Sequence, residues 1–438
     1  MDRQDGTWIM NRRQMLSMMA AAAGCALAPK AFALGIEPWA PSAGDEAFLD
    51  DVERQGCLFF WEQANPKTGQ ILDRARNDLD GARDPRRMSS IASTGFGLTA
   101  LCIADRRGYL PHHQVVERVK TTLKWHLDHM PEEHGFFYHF SNIKTGNRFF
   151  DSEVSSIDTS LLLCGVLTAR EYFKDAHIRS LAQQIYDRVE WPWMLNGGTT
   201  FSMGWHPDTG FLKSRWDHYC ELMMIYLLAI GSPTHPVPAE YWNNFSRPVV
   251  HYGGYNYISG NDPLFTHQYS QAWYDFRDKR DAYADYFANC VTATRAHKAF
   301  CLSYPQWYSE DYWGITASDS AGHYTAWGGP PAQGPLDGSV VPSAAAGSLA
   351  FLPVECLSVL RSMRSKWGKQ AWGRYGFVDA FHPSAKWYDQ DVVGIDQGIS
   401  VLMAENLRTG LVWNTFMRNP ESASAMQRAG FHEIGQTA

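Results

Sequence analysis

Four carboxylates stand where a carboxyl group could do chemistry. Glu221 lies in WDHYCELMMIYLLAIG, residues 216–231, where a polar stretch gives way to an apolar run from Leu222 to Ile230. A helix opening near Asp217 would put Asp217 and His218 one turn behind Glu221, and Met224 and Ile225 one turn ahead. A half-buried carboxyl with a like charge one turn away has its pKa raised, as a general acid working near neutral pH requires. The plainer reading is a first-turn Glu favoured by the helix dipole. Asp396, in VVGIDQGISVLM, sits at another helix opening, where a lone Asp is ordinarily an N-cap. Asp158 follows Ser155 at the spacing of a capping box. Glu310, in SEDYWGITASD, lies in a loop, where a surface role is the default. Brought together in one cavity, such carboxylates suit glycoside hydrolysis, which needs an acid and a base or nucleophile. Trp205, Trp313, Trp327 and Trp387 lie in Gly-rich or loop-like stretches and could stack on sugar rings, although such residues more often anchor a core.

Other chemistries find no support. No dinucleotide-binding GxGxxG after a strand, Walker loop, HExxH or GxSxG is present. The sixteen histidines are scattered, so a metal site is not expected. Formal net charge is −7, and the first 33 residues hold four basic and two acidic side chains, which leaves −9 for the rest. No Lys/Arg cluster interrupts that acidity, which argues against nucleic acid or an anionic membrane as partner. A lyase acting on anionic uronates is disfavoured on the same ground.

The elements that must position these residues read as helices. Ser89-Ser90 opens one that stops at Gly108, and Ser155-Ser156 opens IDTSLLLCGVLTAREYF. Asp217 opens the Glu221 stretch, which stops at Gly231, and Asp396 opens QGISVLMAENLRT, closed by Gly410. A polar opener with Gly or Pro after the last turn is capping chemistry. Amphipathic helices at 113–130, 176–190, 281–302 and 355–367 read as outer helices. With His267 and Pro342 as further openings, inner helices start near 90, 156, 217, 267, 342 and 396. Six inner and six outer helices would close into an all-α (α/α)6 toroid with short hairpins and long loops at the active-site end; an open bundle is the rival. Tight turns at 144–147 and 206–210 predict two of the hairpins.

Arg12 and Arg13 precede MLSMMAAAAGCALAP, and Ala31-Phe32-Ala33 is a small-x-small cleavage site. Residues 1–33 therefore read as an export signal of twin-arginine type, and 34–438 as a single catalytic domain, periplasmic or secreted, without a membrane span. Lipid attachment at Cys25 ranks lower, because the usual Leu is missing. The other seven cysteines, in apolar helical contexts, read as buried free thiols.

Ten strings occur in order from about residue 45 to 432, among them FFWEQANPKTGQILDR, SIASTGFGLTAL, GFFYHF, PLFTHQYSQAWYDFRDKRD, YWGITASD, YGFVDAF and GIDQGISVLMAENLRTGLVW. They resemble the bacterial glycoamylase-like domain, glycoside hydrolase family 144, whose members hydrolyse β-1,2-glucan. It is similar to the cyclising domain of cyclic β-1,2-glucan synthases. The resemblance implies an (α/α)6 barrel that cleaves β-1,2-glucan or its oligosaccharides without a cofactor. By position, Glu221 falls on the family's acid, and Asp396 and Asp158 on further acidic residues in or near the cleft. Family members look inverting, which suits Asp396 as base; Glu310 lies about where the retaining cyclases would have a nucleophile. Tyr138, His139, His267 and Gln268, within or beside these strings, join Asp158, Trp205, Trp313 and Trp387 as substrate-binding candidates. Cys220 stands where the family usually has Asn, and Thr266 and Gln271 where it has Gly and His, which bears on substrate contacts. A glucoamylase-like hydrolase of another glucan, or a non-catalytic periplasmic glycan-binding protein, are the alternatives.

Overall fold

The computed structural model describes residues 39–260, 263–331 and 334–435. The expected export signal, with Arg12, Arg13 and Cys25, lies outside the described residues.

The fold is predominantly helical. Four helices, Ile91–Arg107, Ser156–Tyr172, Met223–Gly231 and Gly394–Arg408, are buried along most of their length. Their sequences explain this, since apolar and small residues surround the axis and leave no charged face. By contrast, His112–Asp128, Ala176–Asp187 and Pro353–Trp367 bury one stripe each, as amphipathic outer helices do. Ser90 and Ser155 cap their helices through side-chain oxygens that accept from backbone N–H groups three residues on, and Gly108 ends the Ile91 helix in the left-handed region (φ 70°).

Two expected openings differ. The Glu221 stretch becomes helical only at Met223, because residues 217–222 form a bridge, bends and a turn tied to the Ser246 strip. Around His267 the chain makes two 3-10 turns, Leu264–His267 and Ser270–Ala272, in place of a helix.

Short strands lead into the buried helices. Met88–Ser90 pairs with Phe140–Asn142 and runs into Ile91, while Val154–Ser155 pairs with Gly204–His206 and runs into Ser156. Asp391–Val393 pairs with Arg74–Arg76 and runs into Gly394. Both expected tight turns are present, with Ser141 bridged to Arg148 and His206 paired with Gly210. Contacts link neighbouring elements. The Ile91 helix packs on those of Ser156 and Gly394, and the Ser156 helix on that of Met223. Ser270 Oγ donates to the Glu221 carbonyl (2.7 Å), and Gln268 Nε2 donates to the Ala344 carbonyl (2.9 Å) and Ser348 Oγ (2.8 Å). Away from these openings Glu53, wholly buried, meets Arg408 and Arg107, and Arg107 also binds Glu405 (2.7 Å), tying three helices together.

Glycine sets the close crossing of the Ile91 and Ser156 helices. A Cβ on Gly165 would lie 2.0 Å from the Gly95 carbonyl oxygen, and one on Gly95 2.2 Å from that of Leu161. Backbone cannot yield as a flexible side chain would, so Gly165→Ala should destabilise the fold by about 3 kcal/mol. Chemical denaturation checks this; an unchanged midpoint would contradict the packing. All seven described cysteines are buried and free, as expected. Among the described residues no helix is long and apolar enough to cross a membrane.

Candidate active site

Asp158 and Asp396 are each the third residue of a buried helix, and Glu221 lies two residues before a third. All three are buried, Glu221 with no exposed surface at all. Asp396 is not an N-cap: Val393 occupies the cap without a side-chain bond, and the Asp396 carboxylate instead accepts from Ser343 Oγ (3.0 Å) on the neighbouring helix. Asp158 does take part in capping, since Ser155 Oγ accepts from its backbone N–H (3.0 Å) and donates to its carboxylate. Its other oxygen faces His139 Nε2 at 3.7 Å, while His139 Nδ1 faces Glu153 at 3.3 Å. Asp217 cannot act on Glu221 as a helical neighbour. Its side chain is 57% exposed, and the hydrogen bond from His218 (3.0 Å) holds its carboxyl below the usual range.

The remaining candidates divide. Glu310 is excluded from this group, because it sits on the surface, 71% exposed, in an ion pair with Lys298 (2.8 Å). The bridge between Ser309 and Tyr312 belongs to a turn that carries it outward. Trp313 is fully buried beneath Lys298, a core anchor with no face for a sugar. Trp327 is likewise buried, its indole N–H donating to Ser318 Oγ (2.9 Å). Gln268 is buried, with its Nε2 committed to Ala344 and Ser348. His267 is buried against Tyr219 and Tyr257, and burial followed by the nearby His297 lowers its pKa to about 3, so it stays neutral. Tyr138, under the Arg148 guanidinium, and Trp205, against Trp193, are half-buried, as is Trp387 at the edge of an open groove.

Three acidic residues escaped the sequence reading. Asp319, Asp379 and Asp389 bring carboxylate oxygens within 4.8 Å of one another. Asp379 is buried and accepts from the Asp319 backbone N–H (2.7 Å). Burial, then the charges of Asp396 and Asp319, push its carboxyl well above the usual range, so this cluster adjoins Asp396. Burial and the Asp319 charge raise Asp389 to about 7. Arg74, between Asp73 (3.0 Å) and Asp319 (2.5 Å), supplies the compensating cation.

Among the described residues two groups have the atoms to hold a metal ion, His139 with Glu153 and Asp158, and the Asp319 cluster. In the first, the ring nitrogens of His139 face the carboxylates of Glu153 and Asp158. In the Asp319 group the Arg74 guanidinium already takes a cation's place.

Residues 213–420 match the family model Glycoamylase, described as "Putative glucoamylase". A curated relative, the exo β-1,2-glucooligosaccharide sophorohydrolase of Parabacteroides distasonis, is 29% identical over 88% of this chain, which spans 58% of that protein's length. The endo-β-1,2-glucanase of Chitinophaga pinensis superposes with a TM-score of 0.82 at 28% identity, over 90% of this chain and 99% of its own. A Bacteroides caccae protein described in the same words as the family superposes with a TM-score of 0.82 at 30% identity, over 89% of this chain and 100% of its own. With its helical fold and a relative matched from end to end at 30% identity, the chain belongs to the glycoamylase-like family.

Proposed function

We propose that the protein is a glycoside hydrolase that cleaves β-1,2-glucan or its oligosaccharides. The observation that carries the reading is the position of Asp158, Glu221 and Asp396, buried carboxylates each at or just before the opening of a buried helix. The activities named for the P. distasonis and C. pinensis relatives supply the linkage. The architecture is an (α/α)6 toroid formed by one catalytic domain. Its support is the succession of contacts from the Ile91 helix through those of Ser156 and Met223, the 264–272 turns, Pro342–Ala346 and the Gly394 helix back to Ile91. The leader-like first 33 residues support export to the periplasm or beyond.

Glu221 acts as general acid, giving its proton to the glycosidic oxygen as that bond breaks. Asp396 acts as base, taking a proton from the water that attacks the anomeric carbon from the opposite face; the outcome is inversion. Ser343 donates to one oxygen of Asp396 and so orients its carboxylate. Because Glu221 has no exposed surface, productive binding requires the groups that cover it to give way to substrate. Incubation with linear β-1,2-glucan should release new reducing ends. No products from it, with turnover of maltooligosaccharide, would move the reading to a glucoamylase-type enzyme. Binding without turnover, unaffected by Glu221→Gln, would make the protein a glycan-binding one.

A further inference from the structure

An open cleft of about 430 Å³ beside Arg74 and Asp319 has Phe149, Phe150 and Tyr324 in its wall. It shares Arg86, Ser320 and Asp391 with a second depression of about 530 Å³ walled by Trp387 and Tyr388. The two form one groove, polar in its middle and aromatic at both ends. Arg86 is fixed there by Asp84 (2.6 Å) and by Asp391, so its polar lining is set before any ligand arrives.

Phe150 is the anomaly in this groove. Its side chain is 66% exposed, and its φ of 52° lies in the left-handed region, which bulky side chains rarely adopt. The backbone is held in place from both sides: Phe149 N–H donates to the Phe140 carbonyl (3.0 Å), and Arg148 Nε donates to that of Ser152 (2.6 Å). Phe149 supports the ring edge-on at 4.6 Å. Neither the strained backbone nor the solvated ring serves the core, and strain of this kind collects at functional sites. An aromatic ring held rigidly at a groove's lip, with fixed polar groups further in, matches the apolar face and hydroxyl rim of a sugar.

We propose that this groove holds the part of a β-1,2-glucan chain that lies beyond the bond being cut, with Phe150 the platform for a distal sugar ring. Phe150 is then a specificity-determining residue that favours long chains over short ones. The inference rests on the hydrolase reading above.

The test compares the full-length protein with Phe150→Ala and Phe150→Trp, on long linear β-1,2-glucan and on the shortest oligosaccharide cleaved. Phe150→Ala should raise KM for the long chain about 10-fold, with kcat unchanged and the short substrate unaffected. Phe150→Trp should restore the long-chain KM. Equal effects on both substrates, or none on either, would overturn the proposal while leaving the hydrolase reading intact. A wild-type protein that cleaves no β-1,2-glucan would remove both. Thermal melts of the variants identify any loss of activity that comes from misfolding, and in that event the Trp variant decides alone.

Discussion

Glu221→Gln should lower kcat on β-1,2-glucan by about 10³-fold while leaving substrate binding nearly intact. Glutamine keeps the shape and the hydrogen-bonding capacity of the side chain but has no proton to deliver at the glycosidic oxygen. The deficit should depend on the leaving group. A substrate whose aglycone departs without protonation should lose far less, which a merely structural role for Glu221 would not produce. The alkaline limb of the pH–rate profile should also vanish, since it reports ionisation of the acid. Glu310→Gln is the contrasting variant. Removing a surface charge paired with Lys298 should leave the rate unchanged, and a collapse there would revive the retaining alternative.

Asp396→Asn should cost 10²- to 10⁴-fold in kcat, an order-of-magnitude figure for a lost general base, roughly equal for good and poor leaving groups. Here the acidic limb should disappear, because the base must be ionised to accept the proton of the attacking water. The substitution changes no volume and can keep the bond from Ser343. It also removes a like charge beside Asp379, whose carboxyl is held up partly by Asp396. The fold should therefore be no less stable, and a large loss of stability would indicate that Asp396 serves packing rather than chemistry.

The helices were legible in the sequence where capping was local. Ser90, Ser155 and Gly108 act where their types predict, because a cap depends only on residues three or four positions away. The helical period around Glu221 predicts a helix reaching back to Asp217, but the segment before Met223 is turned by pairing with the Ser246 strip, a contact distant in sequence. Asp396 looked like an N-cap because its sequence neighbours cannot reveal Ser343, which lies 53 residues away.

The tryptophans in loop-like sequence divide by the direction in which their loops fold. Trp313 and Trp387 both lie in loop-like sequence, yet one is sealed under Lys298 and the other borders the groove. Composition cannot distinguish a loop that folds inward from one that lines a cleft. The Asp319, Asp379 and Asp389 cluster was missed because its members come from three separate loops with no characteristic spacing. A signal did exist: Asp319 ends YWGITASD and Asp379 lies in YGFVDAF, both strings of the family resemblance.

The most direct measurement is the proton NMR spectrum of the first products released from linear β-1,2-glucan, recorded before mutarotation mixes the anomers. A protein with Glu221 as acid and Asp396 as base should give the α-anomer of the new reducing end first. The β-anomer appearing first, or no new reducing end at all, would contradict the account.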